Sequence, residues 1–231
     1  VRLGVLGKTD KLMTVGSGRE SFTADIPIMK IRGVVVIPGS TFKGVLRRSA
    51  MKVSPLLNIK NCFDFGLTFP CATTRSGGVC PVCKVFGLSG EDTSPLQVTD
   101  LRYVKSEEDA LRLWRERMLV PLGDENPTIT RLVRIRVDDS TQTSAEGALF
   151  ESEALPPGTL FYGEIRLSRA LLKKAGVDVN EASRLVLAAL ADLSYERIGR
   201  GGLMTFKVVG SEGIPEDEES KMLLDMLVKR W

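Results

Sequence analysis

The apolar positions along the chain predict a succession of strands and helices. Val1 to Leu6 reads as a short strand, and Lys8 to Lys30 as a long loop rich in glycine and charge with a turn at Val15-Gly16-Ser17-Gly18. Val34 to Ile37 is a β-branched run stopped by Pro38-Gly39. Ser40 then stands as the N-cap of a helix in which Phe42, Val45, Leu46, Ser49, Ala50 and Val53 follow helical spacing. Lys43, Arg47, Arg48 and Lys52 fall on the opposite arc, so one face should pack and the other should be positive. Residues 54–97 show no sustained period. Val98 to Val104 reads as a strand, Ser106 to Met118 as a helix capped by Ser106 with Asp109 three residues on, and Pro121 to Pro127 as a loop. Arg131 to Val137 alternates basic and apolar residues, the pattern of a strand with one charged face. Leu160 to Leu167 is a further strand. Short helical turns ending near Gly176 follow, then an amphipathic helix over Asn180 to Leu193, a glycine cluster at Gly199 to Gly202 and a strand over Leu203 to Val209.

Without its insertions this order is strand, helix, strand, strand, helix, strand. It predicts an α+β domain with a ferredoxin-like, RRM-like βαββαβ core, a four-stranded antiparallel sheet backed by two helices. One domain would span residues 1–231, with insertions at about 8–33, 54–97 and 105–157. Segments that long carry contacts or sub-domains more often than slack chain. No internal repeat is visible.

Composition narrows the chemistry. A hydrophobic fraction of 43% suffices for a core, and no uncharged apolar run reaches the ~18 residues a membrane span needs. A soluble chain without membrane contact is expected, and with no signal-peptide pattern at its start the default compartment is cytoplasmic. The chain has no histidine. That removes Ser-His-Asp, Cys-His and His-metal sites and leaves carboxylates, Lys, Tyr, Cys, backbone groups or a bound metal. The net charge of +3 hides an asymmetry: residues 1–60 hold eleven Lys and Arg against Asp10, Glu20 and Asp25, a net +8, which leaves −5 for the rest. A basic first quarter suits a polyanion such as nucleic acid, although solvated basic faces are common. Glu216-Asp217-Glu218-Glu219 fits the negative first turn of a C-terminal helix. Only six residues are Asn or Gln, as in proteins of thermophiles.

Two constellations stand out. Cys62, Cys71, Cys80 and Cys83 are the four cysteines, and Cys80-Pro81-Val82-Cys83 has the spacing that lets two sulfurs meet one tetrahedral ion at ~2.3 Å. Without histidine the complete ligand set is four thiolates, a structural zinc site. Disulfides are the alternative, one that a thermophilic source favours. In Ile37-Pro38-Gly39-Ser40-Thr41-Phe42-Lys43-Gly44-Val45-Leu46-Arg47-Arg48, a turn opens into a helix whose free N–H groups, hydroxyls and Lys43 converge where an anion could sit. The spacing is not that of a P-loop, and an ordinary strand-turn-helix with a basic face fits equally.

This second segment resembles the Ile-Pro-Gly-Ser-Ser-Leu-Lys-Gly-x-Leu-Arg signature of the RAMP superfamily, especially the repeated backbone subunit of type III CRISPR-Cas effector complexes. Four further blocks agree in order: Gly16-x-Gly18; Asp25-Ile26-Pro27-Ile28, like Asp-x-Pro-Val/Ile; Cys80 to Gly87, like Cys-x-x-Cys-x-Phe-Gly; and the series from Val137 to Phe161, like Ile-Asp-Arg-x-Thr, Leu-Phe-x-x-Glu and Pro-Gly-x-x-Phe. The likeness spans most of the chain.

The resemblance implies a subunit that binds the crRNA guide and assembles with other copies of itself and other effector subunits in antiviral defence. In catalytic members it also implies cleavage of the paired target RNA with a divalent metal such as magnesium. The acidic residue essential there matches Asp25. The RNA's own 2′-OH serves as nucleophile, so a chain without histidine is not excluded from this endoribonuclease chemistry. A loop carboxylate paired with Arg19 or Lys30 is the plain alternative for Asp25. Lys43, Arg47 and Arg48 are assigned to guide phosphates with Ser40 capping the turn, and Arg19 and Lys30 join the same RNA-binding set. Gly199, Arg200, Gly201 and Gly202 would cradle phosphate through backbone N–H groups. The region around Asp138 to Glu153 corresponds to a thumb-like β-hairpin that meets a neighbouring subunit or the duplex.

Two departures bear on these assignments. Lys30-Ile31 stands where the family has an Arg-Asp pair, and the glycine loop lacks its later glycines. A non-catalytic RNA-binding scaffold or capping subunit is the competing reading. A repeat-processing endoribonuclease is disfavoured by the missing histidine.

Overall fold

The computed structural model describes residues 1–18, 24–62, 71, 79–88, 93–118, 126–137, 140 and 144–231, the side chains of 136–137 and 144–148 excepted. The first half of the chain forms β1 (Arg2–Thr9), β2 (Lys30–Ile31), β3 (Val34–Ile37), α1 (Gly39–Val53), α2 (Pro81–Phe86), β4 (Leu96–Val98), β5 (Leu101–Val104) and α3 (Glu107–Glu116). The second half adds β6 (Thr130–Val137), β7 (Ser144–Ala154), β8 (Leu160–Leu167), α4 (Arg169–Ala175), α5 (Val179–Asp192), β9 (Met204–Glu212) and α6 (Glu218–Val228). Among the described residues, seven strands make one sheet in the order β2-β3-β5-β8-β1-β9, with β4 also on β8. Its pairings are all antiparallel, and β6 and β7 form a separate hairpin. The protein is therefore a mixed α+β fold on an antiparallel sheet.

Alternation along β1 sends Leu3 and Val5 to one face of the sheet and Leu6 to the other. On the first face Leu3, Val5, Phe161, Ile165, Phe206 and Val208 share a core with Phe42 and Leu46 of α1 and Leu185 of α5. The residues picked out by helical spacing in α1, from Phe42 to Val53, are all buried there. The rings of Phe42 and Phe206 stand 5.2 Å apart between centroids. Burying one such ring stabilises the fold by about 2–3 kcal/mol. On the second face Ala110 and Leu113 of α3 cover Leu6, Val104 and Tyr162. Beside them Glu164, 2% exposed, receives Arg2 and Arg166 at 2.5 and 2.7 Å. Burial pushes the Glu164 carboxyl up, but the two guanidinium groups outweigh it and hold the carboxyl below its ordinary value.

Several caps fall where the sequence places them. Ser106 Oγ accepts the Asp109 N–H at the start of α3, and Gly176 closes α4 in the left-handed conformation; Asp217, expected within the first turn of the C-terminal helix, instead caps α6 and leaves Glu218 and Glu219 in that turn. The helix expected from Asn180 begins at Val179, because Asp178 accepts the N–H groups of Asn180 and Glu181.

Three expectations need correction. The strand over Val98 to Val104 is broken by a bulge: Val98 faces Ile165 and Arg102 faces Tyr162, so three residues oppose two. The bulge releases Asp100, whose Oδ1 accepts the Gly39 N–H at 2.8 Å. This carboxylate caps α1 in place of Ser40, because the helix starts at Gly39, two residues before a Ser40 cap would open it, and leaves Ser40 exposed. Gly39 is required by the close approach, since a Cβ would lie 2.8 Å from the Val98 carbonyl oxygen. The first strand does not end at Leu6, where the loop was expected to take over. β1 continues to Thr9, and Met13, Val15, Ala24 and Ile28 are buried.

Candidate functional site

Four segments far apart in sequence meet at the base of the β6–β7 hairpin. Met13 bridges Leu155, Thr14 bridges Arg200, Gly16 bridges Ile28, and Ile26 runs parallel to Ser152. The frame is almost entirely backbone: Arg200 N–H to Thr14 O at 2.8 Å, Met29 N–H to Val15 O at 2.7 Å, Ser17 N–H to Pro27 O at 3.0 Å, and Ile26 N–H to Glu151 O at 3.1 Å. Asp25, exposed, accepts the Glu151 N–H on Oδ2 at 2.7 Å. The Gly16 turn, Asp25 and the Gly199 to Gly202 loop thus occupy one patch. Gly199 has φ +65 and no room for a side chain, since a Cβ would meet the Thr14 carbonyl oxygen at 2.3 Å. Arg200 beside it is exposed.

Glu153 ties this frame together. Its buried carboxylate accepts the Ile28 N–H at 3.0 Å, its carbonyl accepts the Thr14 hydroxyl at 2.8 Å, and its N–H donates to Ile26 O at 3.0 Å. The matching Leu-Phe-x-x-Glu block is the sequence signal for it. The hairpin above presents Val133, Ile135 and Leu149 to solvent, with Ile135 directly opposite Leu149. Arg131 to Val137 is one of its two strands, so the hairpin begins earlier than the expected Asp138 to Glu153. Arg19, Asp138 and Asp139 lie outside the described residues. Among the described residues Asp25 is not grouped with two further acidic or cysteine side chains close enough to share an ion.

The cations of α1 divide. Lys43 is half-buried and its ammonium donates to Ser94 Oγ at 2.5 Å and Leu96 O at 2.9 Å. Burial and the charge of Arg47 lower its pKa. Arg47 donates from Nη2 to Cys83 Sγ at 2.9 Å. Arg48 is 67% exposed and 3.9 Å from Glu196, and Lys52 binds Asp192 at 3.1 Å. The expectation that Lys43, Arg47 and Arg48 form one outward row thus gives way to two inward cations and one outward. Lys30 is exposed at the sheet edge, on β2.

The four cysteines come together. Cys62, Cys71, Cys80 and Cys83 are buried and carry free thiols whose sulfurs all lie within 4.8 Å of one another. Local structure explains this. Asn61 anchors the incoming loop on Met51 O at 3.1 Å, and Cys80 caps α2 by accepting the Cys83 N–H at 3.4 Å. Hydrogen bonding from Cys80, helped by Arg47, draws the Cys83 thiol down to about 4, whereas burial pushes Cys62 up to about 12. Four buried sulfurs converging on one point, with one thiolate readily formed, fit a tetrahedral thiolate-bound ion. The cluster could hold a metal such as zinc.

The family model of the RAMP superfamily matches residues 13–203. The chain belongs to the RAMP superfamily. Its fold is similar to that of a chain in the cryo-EM structure of the type III-B Cmr-beta complex bound to cognate target RNA, at TM-score 0.58 and 14% identity over 90% of this chain and 97% of that one. It is equally similar to a chain of apo Cmr-beta, at TM-score 0.59 and 15% identity over 91% and 98%. No curated protein matches the sequence. No helix among the described residues is long and apolar enough to cross a membrane.

Proposed function

We propose that this chain is a crRNA-binding backbone subunit of a type III CRISPR interference complex and that it cleaves the target RNA bound to that complex. One observation carries the reading: in a RAMP chain, Asp25, the Gly16 turn and the Gly199 to Gly202 loop share one patch at the foot of an exposed hairpin. The strand order β5-β8-β1-β9, with α1 and α5 as its connecting helices, supports a ferredoxin-like core beneath it. Arg48, Arg200 and Lys30 are exposed cations suited to guide phosphates. The apolar face of the hairpin suits a neighbouring copy of the chain or the edge of the guide–target duplex.

In this reading Asp25 would be the protein's carboxylate beside the scissile phosphate and would hold a magnesium-like ion, which would supply charge neutralisation there. The RNA's own 2′-OH, losing its proton, would form a bond to the adjacent phosphorus as the bond to the 5′-oxygen breaks, leaving a 2′,3′-cyclic phosphate and a 5′-hydroxyl. The cysteine cluster would hold a structural zinc that closes the insertion. A non-catalytic scaffold is the second reading, favoured by the bond from the Glu151 N–H to Asp25, which gives that carboxylate a structural task. Target cleavage by the reconstituted complex carrying Asp25→Asn separates the two. Cleavage lost by more than about a hundredfold with guide binding intact supports catalysis; cleavage at the wild-type rate leaves the scaffold reading.

A further inference from the structure

We infer that Arg47, which its place in the basic motif assigns to guide phosphates, instead positions the Cys83 thiolate for the metal and ties α1 to the cysteine insertion. The inference rests on the zinc reading above and concerns which residue outside the ligand set sustains it. The Nη2–Sγ contact is 2.9 Å and joins residues 36 positions apart. A neutral thiol is a weak acceptor, while a thiolate accepts a charge-assisted hydrogen bond. Four thiolates around a divalent ion leave a net charge of about −2 in a buried place, and a guanidinium against one sulfur offsets part of it.

The surroundings agree. Cys83 faces Cys62 at 3.4 Å, with Cys80 and Cys71 completing the cluster, and Arg47 is the cation that reaches it from α1. Lys43, one turn earlier, is fastened to Ser94 and Leu96, and burial first and the charge of Arg47 second lower its pKa. Two cations side by side are unfavourable unless negative charge accumulates nearby, as it does when thiolates bind a metal. Arg48, the next residue along, points to solvent beside Glu196 and has the same charge on the same helix. It provides the internal control.

The experiment uses the full chain with Arg47→Met, which keeps stem volume and loses charge, Arg47→Lys, and Arg48→Met. Zinc content and affinity are measured by competition with a chromogenic chelator, cobalt substitution reports the thiolate-to-metal charge-transfer band, and guide RNA affinity is titrated in parallel. Arg47→Met should lose about 10–100-fold in zinc affinity and shift the cobalt band. Arg47→Lys should recover part of both, and Arg48→Met should match wild type in both. Wild-type zinc affinity and an unshifted cobalt band in Arg47→Met overturn the inference. So does a loss confined to RNA affinity with a flatter salt dependence, which returns Arg47 to the phosphates. Equal losses in zinc affinity from Arg47→Met and Arg48→Met also overturn it. If Arg47→Met does not fold, Arg47→Lys decides: unchanged affinity and band reject the role. A wild-type chain that neither contains nor takes up zinc removes the zinc reading and this inference together, whereas zinc retained equally in wild type and variant removes the inference alone.

Discussion

Helix α1 and the segment from Met13 to Met29 both belong to the basic first quarter, yet they use their polar groups differently. On α1 the long side chains of Lys43 and Arg47 turn inward and fasten the 93–96 strap and the cysteine cluster. Among the described residues of Met13 to Met29 the fastening is done mainly by backbone, and Asp25 is left exposed, as are Lys30 just after the segment and Arg200 across from Thr14. A cation bound to internal acceptors serves the fold. A side chain exposed on a backbone-held frame can meet a ligand at little conformational cost. The positive end of the chain therefore divides into a structural half and a presenting half.

Breaking the structural half should have the largest effect. Replacing both Cys80 and Cys83 by Ser removes half of the ligand set and should cost about 4 kcal/mol or more, a fall in Tm of about 10 °C for a chain of this size. Thermal unfolding with and without chelator measures it; an unchanged Tm would show that the cysteine end does not anchor the fold. In the presenting half the backbone should matter more than the exposed side chains. Gly199→Ala should cost about 2 kcal/mol or more, from left-handed strain plus the clash with the Thr14 carbonyl. Gly201→Ala, at φ +73 with Leu12 O at 3.7 Å, should cost about 1 kcal/mol. Equal costs in urea denaturation would mean that the loop yields at Gly199.

The smallest effect sharpens the boundary between the halves. Gly44 lies inside α1 with nothing within 4 Å of where a Cβ would be. Gly44→Ala should therefore stabilise the chain by about 0.5–1 kcal/mol. A stabilised variant that binds guide RNA less well would place the RNA backbone against this stretch of helix. Unchanged affinity would confine the RNA to the Asp25 and glycine-loop end.

What the sequence alone determined is local. The stripe from Phe42 to Val53, the cap at Ser106, the acidic start of the last helix, the helix end near Gly176 and the knuckle of Cys80 and Cys83 depend on residues within one or two turns of each other, where periodicity and capping chemistry suffice. The RAMP blocks were legible for a similar reason, since each is a short run of neighbouring residues. Tertiary structure decided the partners. Asp100, 61 residues from Gly39, displaces Ser40 as the cap because a bulge in the neighbouring strand frees its carboxylate. Asp25 meets the Glu151 N–H 126 residues away, and Arg47 meets Cys83, because insertions fold back over the sheet edge and over α1. Helical spacing puts Lys43 and Arg47 on the arc opposite the apolar stripe, but their long stems can reach inward or outward. Only the arrival of buried acceptors from elsewhere in the chain settles the direction, since a cation leaves water only where such acceptors replace its hydration.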